Sequence, residues 1–189
     1  MNLFINAVVK KWVLILFDDN RNIIFQKEIE VAWNESEKLI WLVDDFLKKS
    51  HLWYDDLENL VVVAWPGSFT WIRTIVLMVN TINFVIDKNI TSISFFDLFN
   101  NYSIVKTSSK RDCFLKKDIN SEIEIISNID LIDYLLKNNI NKIYGDFNPW
   151  DNKGIELIEK INYSDIIKNI KFQKEKIIEP LYIKKPSIS

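Results

Sequence analysis

The chain has 189 residues, 48% of them hydrophobic, with a net charge of -2 and a sequence pI near 5.5. That is enough apolar material for a substantial core, and it lacks the basic excess expected of a nucleic-acid-binding domain, so no direct nucleic-acid contact is expected. One cysteine (Cys113) excludes an internal disulfide, and one histidine (His51) has no second histidine or cysteine to complete a metal site or Cys-His pair.

The N-terminus lacks the basic start, apolar run and small-residue cleavage site of a secretory signal, so a cytoplasmic location is expected. Residues 3–9, 12–17 and 22–31 read as three consecutive strands, with the polar stretch 18–22 as the turn between the second and third. Asn34-Glu35-Ser36-Glu37 has the form of a capping box and opens a helix to about Ser50. On that helix Leu39, Ile40, Leu42, Val43, Phe46 and Leu47 share one face. Trp41 falls on the other side among Glu37, Asp44, Asp45 and Lys48, where water is expected.

The run Val61-Val62-Val63-Ala64 has no alternation and suits a central strand covered on both faces. Pro66-Gly67 should turn the chain, the glycine by accepting a positive φ, and Ser68 should cap the helix that follows. From Phe69 to Ile86 that helix carries a broad apolar face of Trp71, Ile72, Ile75, Val76, Met78, Val79, Ile82, Val85 and Ile86. Leu77 and Phe84 emerge opposite, among Arg73, Asn80 and Thr81. A helix apolar nearly all round is either sandwiched in a core or covered by a partner. Asn80 and Asn83 interrupt it, so it is no bilayer span and no membrane association is expected.

Residues 92–96 add a short strand, and the element order strand, strand, strand, helix, strand, helix predicts a mixed sheet covered on both sides. This is the order of the actin-like, ribonuclease-H-like core. The second half is rougher. Residues 102–107, 113–117 and 122–126 read as strands, 129–137 as a helix, 142–145 as a buried strand, 154–161 and 165–170 as helical, and 181–183 as a final strand. The lysines and arginine at Lys106, Lys110, Arg111, Lys116 and Lys117 read as a solvated face. A boundary near residue 100 divides a first lobe, 1–100, from a smaller second lobe, 101–189.

The run Trp65-Pro66-Gly67-Ser68-Phe69-Thr70-Trp71-Ile72-Arg73 resembles the Gly-Pro-Gly-Ser-Phe-Thr-Gly-Leu-Arg hallmark of the TsaB (YeaZ) family, with two glycines exchanged for tryptophan. Leu3-Phe4-Ile5-Asn6-Ala7 is similar to that family's Leu-Ala-Ile-Asp-Thr start. Tyr144-Gly145-Asp146 is similar to its Gly-Asp turn, and Pro180-Leu181-Tyr182-Ile183-Lys184 to its closing Pro-x-Tyr-x-Arg. The resemblance implies a two-lobed actin-like α/β fold with a shortened second lobe. It further implies no independent catalysis, and pairing through a helix bundle with the catalytic subunit TsaD in threonylcarbamoyl modification of adenosine 37 in tRNA. A TsaE-like ATPase is a further candidate partner, and a homodimer is the candidate state in isolation. The interface so implied carries Trp41, Asp45, Lys48, Arg73, Leu77, Asn80 and Phe84.

Asn6 stands where the family has aspartate, and an amide cannot do the metal or water chemistry of a carboxylate. With three glycines in the chain, no glycine-rich loop can wrap a nucleotide's phosphates, so no cofactor is expected. A different class of reading is a metal-dependent hydrolase of the ribonuclease-H type, using Asp18-Asp19, Asp44-Asp45, Asp55-Asp56 or Asp146. Those acids read better as turn, helix-surface, loop and strand-end residues. A third is a homodimeric homologue outside the tRNA pathway.

Overall fold

The computed structural model describes residues 1–9, 11–30, 38–67, 69–147, 154–181 and 183. Contacts group them into two compact units, Met1–Ser94 with Ser164–Ser189, and Phe95–Tyr163. The first unit is built on β1 (Asn2–Asn6), β2 (Lys11–Phe17), β3 (Ile23–Glu30), β4 (Asn59–Trp65) and β5 (Asn89–Ser94), in the order β3-β2-β1-β4-β5. β1, β2 and β3 pair antiparallel, and β4 and β5 continue parallel to β1. This is the expected actin-like order.

The apolar run of β4 is buried from Leu60 to Ala64 and β1 is buried throughout, as unbroken hydrophobic strands between two covered faces should be. β3, at the edge, alternates toward solvent and carries Lys27, Glu28 and Glu30, charges that discourage edge-to-edge pairing. Two helices make the parallel crossovers, α1 (Leu39–Lys49) from β3 to β4 and α2 (Phe69–Ile86) from β4 to β5. Both crossovers step across the sheet in the same direction. Right-handed connections therefore lay both helices on one face of the sheet, where they touch.

The second unit repeats the scheme in shorter strands: β6 (Ile104–Thr107), β7 (Asp112–Lys116), β8 (Glu124–Ser127), α3 (Leu131–Lys137), β9 (Lys142–Gly145) and β10 (Glu156–Ile158). Their order, β10-β9-β6-β7-β8, again sets an antiparallel trio beside two parallel strands. Val105, Cys113, Leu115, Leu131, Leu135, Ile143, Phe147 and Ile155 form its core. The helix expected over residues 154–161 is replaced by β10. Its apolar spacing is ambiguous, and the free edge of β9 decides it, with Lys142 and Glu156 paired across the strands at 3.3 Å.

The boundary differs from the expected one at the C-terminal end, since Ser164–Ser189 groups with the first unit and not the second. α4 (Tyr163–Asn169) buries Ile166 and Ile167, Arg21 donates to the Ile170 carbonyl at 3.1 Å, and Phe172 stacks on Phe17. These contacts join elements remote in sequence, which local patterning does not reveal. Leu181 and Ile183 are not in a strand; Tyr182, the Asn34–Glu37 box and Ser68 lie outside the described residues.

Candidate partner-binding face

α1 packs Leu39, Val43, Phe46 and Leu47 inward, and Phe46 stacks on Phe25 of β3 with ring centroids 5.0 Å apart. The outward side holds Trp41, 72% exposed. Around it Lys48 pairs with Asp44 at 2.7 Å and Lys49 with Asp45 at 2.8 Å, while Lys27 of β3 reaches Asp45 at 3.2 Å. Hydrogen bonds from Lys49, then from Lys27, hold the Asp45 carboxyl below the usual carboxylate range. Asp45 and Lys48 thus form a charged margin beside an apolar ring, as on the rim of a protein interface.

α2 buries Ile72, Ile75, Val76, Met78, Val79 and Ile82 against the unit. Leu77 is 69% exposed and Phe84 is 90% exposed, seven residues apart and therefore on one stripe with exposed Arg73 and Thr81. Val85, expected on the inner face, is 75% exposed. Counting at 100° per residue extends the inner face too far at this end of the helix, where Ile82 and Asn83 are buried and Val85 is not. Ile40 of α1, also expected inside, is 44% exposed. Val85, Ile40 and Trp53 are further exposed apolar residues of the first unit.

Asn80 has a different task from the expected one. Its Nδ2 donates to the Ile178 carbonyl at 2.9 Å and its Oδ1 accepts from the Ile178 amide at 3.0 Å. The side chain is spent within the unit, and it is not a free contact for a partner.

The motif loop is packed for structure. Gly67 does not lie at positive φ, contrary to expectation; what it supplies is room, since a Cβ there would stand 3.3 Å from Val8 Cγ1 and 3.4 Å from Ile72 Cγ1. Trp71, half-buried, meets the buried Trp12 of β2 edge-to-face at 4.7 Å, so one of the two glycine exchanges fills space in the unit. Trp65 and Pro66 end β4, half-buried and buried respectively. Phe69 and Thr70 open the α2 backbone, and their side chains lie outside the described residues.

The acids available for hydrolysis are engaged elsewhere. Asp18 accepts from the amide and Nδ2 of Asn22, and Asp19 from Asn2. Asp56 accepts from the Trp53 amide, capping a short 3-10 turn at Tyr54–Asp56. Asp146 pairs with buried Lys106 and accepts from the Thr107 amide at 2.7 Å. Among the described residues no group of three His, Cys, Asp or Glu side chains could hold a metal ion. Asn6, fully buried, accepts from the Val8 amide at 3.3 Å across the turn after β1. Burial pushes the Cys113 thiol up to about 12, the reverse of an activated nucleophile.

No family model matches the sequence. A Mycoplasma genitalium protein, uncharacterized protein MG208, is 24% identical over 192 residues, covering 97% of this chain and 95% of that protein. Among solved structures, an uncharacterized protein with similarity to peptidase YEAZ from Pseudomonas aeruginosa superposes with a TM-score of 0.70 at 9% identity, over 97% of this chain and 99% of the other. YeaZ from Pseudomonas aeruginosa gives 0.53 at 12% identity, over 66% of this chain and 63% of its own. The chain has the fold of the YeaZ (TsaB) proteins. No described helix is long and apolar enough to cross a membrane.

Proposed function

We propose that this chain is a non-catalytic scaffold of the cytoplasm that pairs through the outer faces of α1 and α2 with a TsaD-like enzyme, and thereby supports threonylcarbamoyl modification of adenosine 37 in tRNA. The observation that carries the reading is the solvent-facing apolar set Trp41, Leu77 and Phe84 on two helices that share one side of a sheet. Large aromatic side chains held outward on a rigid surface are what interface anchors require, and a few of them supply most of the binding energy. The tRNA is reached through the partner, because the chain's own charge offers no footprint for it.

Co-purification with the cognate TsaD tests this reading. Trp41→Asp combined with Leu77→Asp is expected to abolish the complex while leaving the fold intact, since both side chains face water in the free subunit. An undiminished complex in the double variant rejects the interface. A stable homodimer that ignores TsaD replaces the reading with a self-associating homologue.

A further inference from the structure

The C-terminal segment after α4 returns along the outer flank of α2 and the open edge of β5, and nearly everything that holds it there reads its main chain. Ile90 and Glu175 form an antiparallel bridge, each amide donating to the other's carbonyl at 3.0 and 3.2 Å. The Gln173 amide donates to Thr91 Oγ1 at 2.9 Å. On α2, Asn83 Nδ2 donates to the Lys176 carbonyl at 2.8 Å, and Asn80 embraces both main-chain groups of Ile178. Side-chain ties are few: Ser92 donates to the Glu175 carboxylate at 2.9 Å, Lys176 pairs with Asp87 at the surface, and Ile178 is buried.

Asn83 is 3% exposed, and its Oδ1 has no hydrogen-bond partner among the described residues. A helix facing a hydrophobic sheet would be more stable with an apolar residue there, unless the amide's donor is needed. Its position supplies the reason. Asn80 is the helical neighbour of both Leu77, three residues before it, and Phe84, four residues after it. Asn80, one of the two groups that hold the strap, therefore stands directly beside the exposed stripe.

We propose that residues 173–178 form a strap whose clasp on Asn80 and Asn83 fixes the roll of α2, so that release of the strap changes how Leu77 and Phe84 are presented. The strap is a positioning element, and its opening is a local event separate from unfolding of the sheet. Its effect on affinity rests on the partner reading above; its effect on α2 does not.

The test is native-state hydrogen exchange on the full chain carrying Asn80→Ala and Asn83→Ala, with Asn80→Ala alone as the milder variant. Amides of the strap, of Ile90 and of the second half of α2 are expected to exchange roughly tenfold faster or more, with β1 and β4 unchanged, as loss of two hydrogen bonds in Asn80→Ala and three in the double variant predicts. Affinity for a TsaD-like partner should fall in parallel, whereas Trp41→Asp should abolish binding and leave exchange as in the parent. Three results overturn the proposal: strap amides unaffected by the variants, strap amides released with α2 unmoved, or β1 and β4 exchanging in step with the strap. If the exchange pattern holds and no partner binds the parent chain, the partner reading falls and the strap stands.

Discussion

The two units run the same course of five strands, three antiparallel and two parallel, yet they differ in what they leave outside. The first spends α1 and α2 on its crossovers and sets large apolar side chains of both toward solvent. The second has α3 in the first crossover, and most of the next crossover lies outside the described residues. Its two most exposed apolar residues, Ile119 and Ile129, lie in turns, and Leu136 of α3 and Ile125 of β8 are less exposed. Topology is thus shared, while the apolar side chains set outward on the described crossover helices differ.

The glycines at the close of the fourth strand of each unit, Gly145 as its last residue and Gly67 two residues beyond it, give the largest expected contrast. Gly145 lies at φ +132, and a Cβ there would stand 1.9 Å from the backbone oxygen of Val105. Neither strain nor overlap can be relieved by moving a side chain, so Gly145→Ala should cost more than about 4 kcal/mol and disrupt the second unit. Gly67 would meet only side-chain carbons at 3.3 and 3.4 Å, and Gly67→Ala should cost less than about 1.5 kcal/mol. Urea unfolding of both variants measures the difference. Equal losses would mean that the two turns are built alike after all.

Much of the first unit was legible in the sequence because its signals are local. The unbroken Val61–Ala64 run, the displaced phase of Trp41 and the seven-residue spacing of Leu77 and Phe84 each depend on a few neighbouring residues. What could not be read depends on distant partners. β10 is a strand because β9 has a free edge, and Asn80 faces a strap nearly a hundred residues away in sequence. The expected positive φ at Gly67 failed for a related reason: the requirement there is closeness to Val8 in another turn.

Burial separates two Lys–Asp pairs of identical chemistry. Asp146 meets Lys106, whose side chain is almost wholly enclosed, whereas Asp45 meets Lys27 and Lys49 at the surface. Asp146→Asn leaves an ammonium group enclosed without its counter-charge and should cost about 3 kcal/mol. Asp45→Asn, at an exposed pair screened by water, should leave stability almost unchanged. Thermal unfolding of the two variants at one ionic strength decides the matter, and a surface-sized loss at Asp146 would show that water reaches Lys106 freely.

The smallest effect concerns acid. Glu124 of β8 accepts from Lys117, its chief cause of a lowered carboxyl pKa, and from the Tyr134 hydroxyl of α3 at 2.8 Å. Because its folded pKa lies below the unfolded value of 4.5, the group's stabilisation is complete above about that pH and is lost as pH falls through the folded pKa. The site is largely open to water, so Glu124→Gln should lower stability by at most a few tenths of a kcal/mol at neutral pH. The parent and variant curves should converge on acidification. Since Glu124 ties β8 to α3, the loss should appear first in the second unit, read by labelling of buried Cys113, which reacts only when that core opens. Faster labelling of Cys113 at neutral pH in Glu124→Gln, with α1 and α2 amides still protected, would show the two units opening separately; simultaneous opening would make them one cooperative structure.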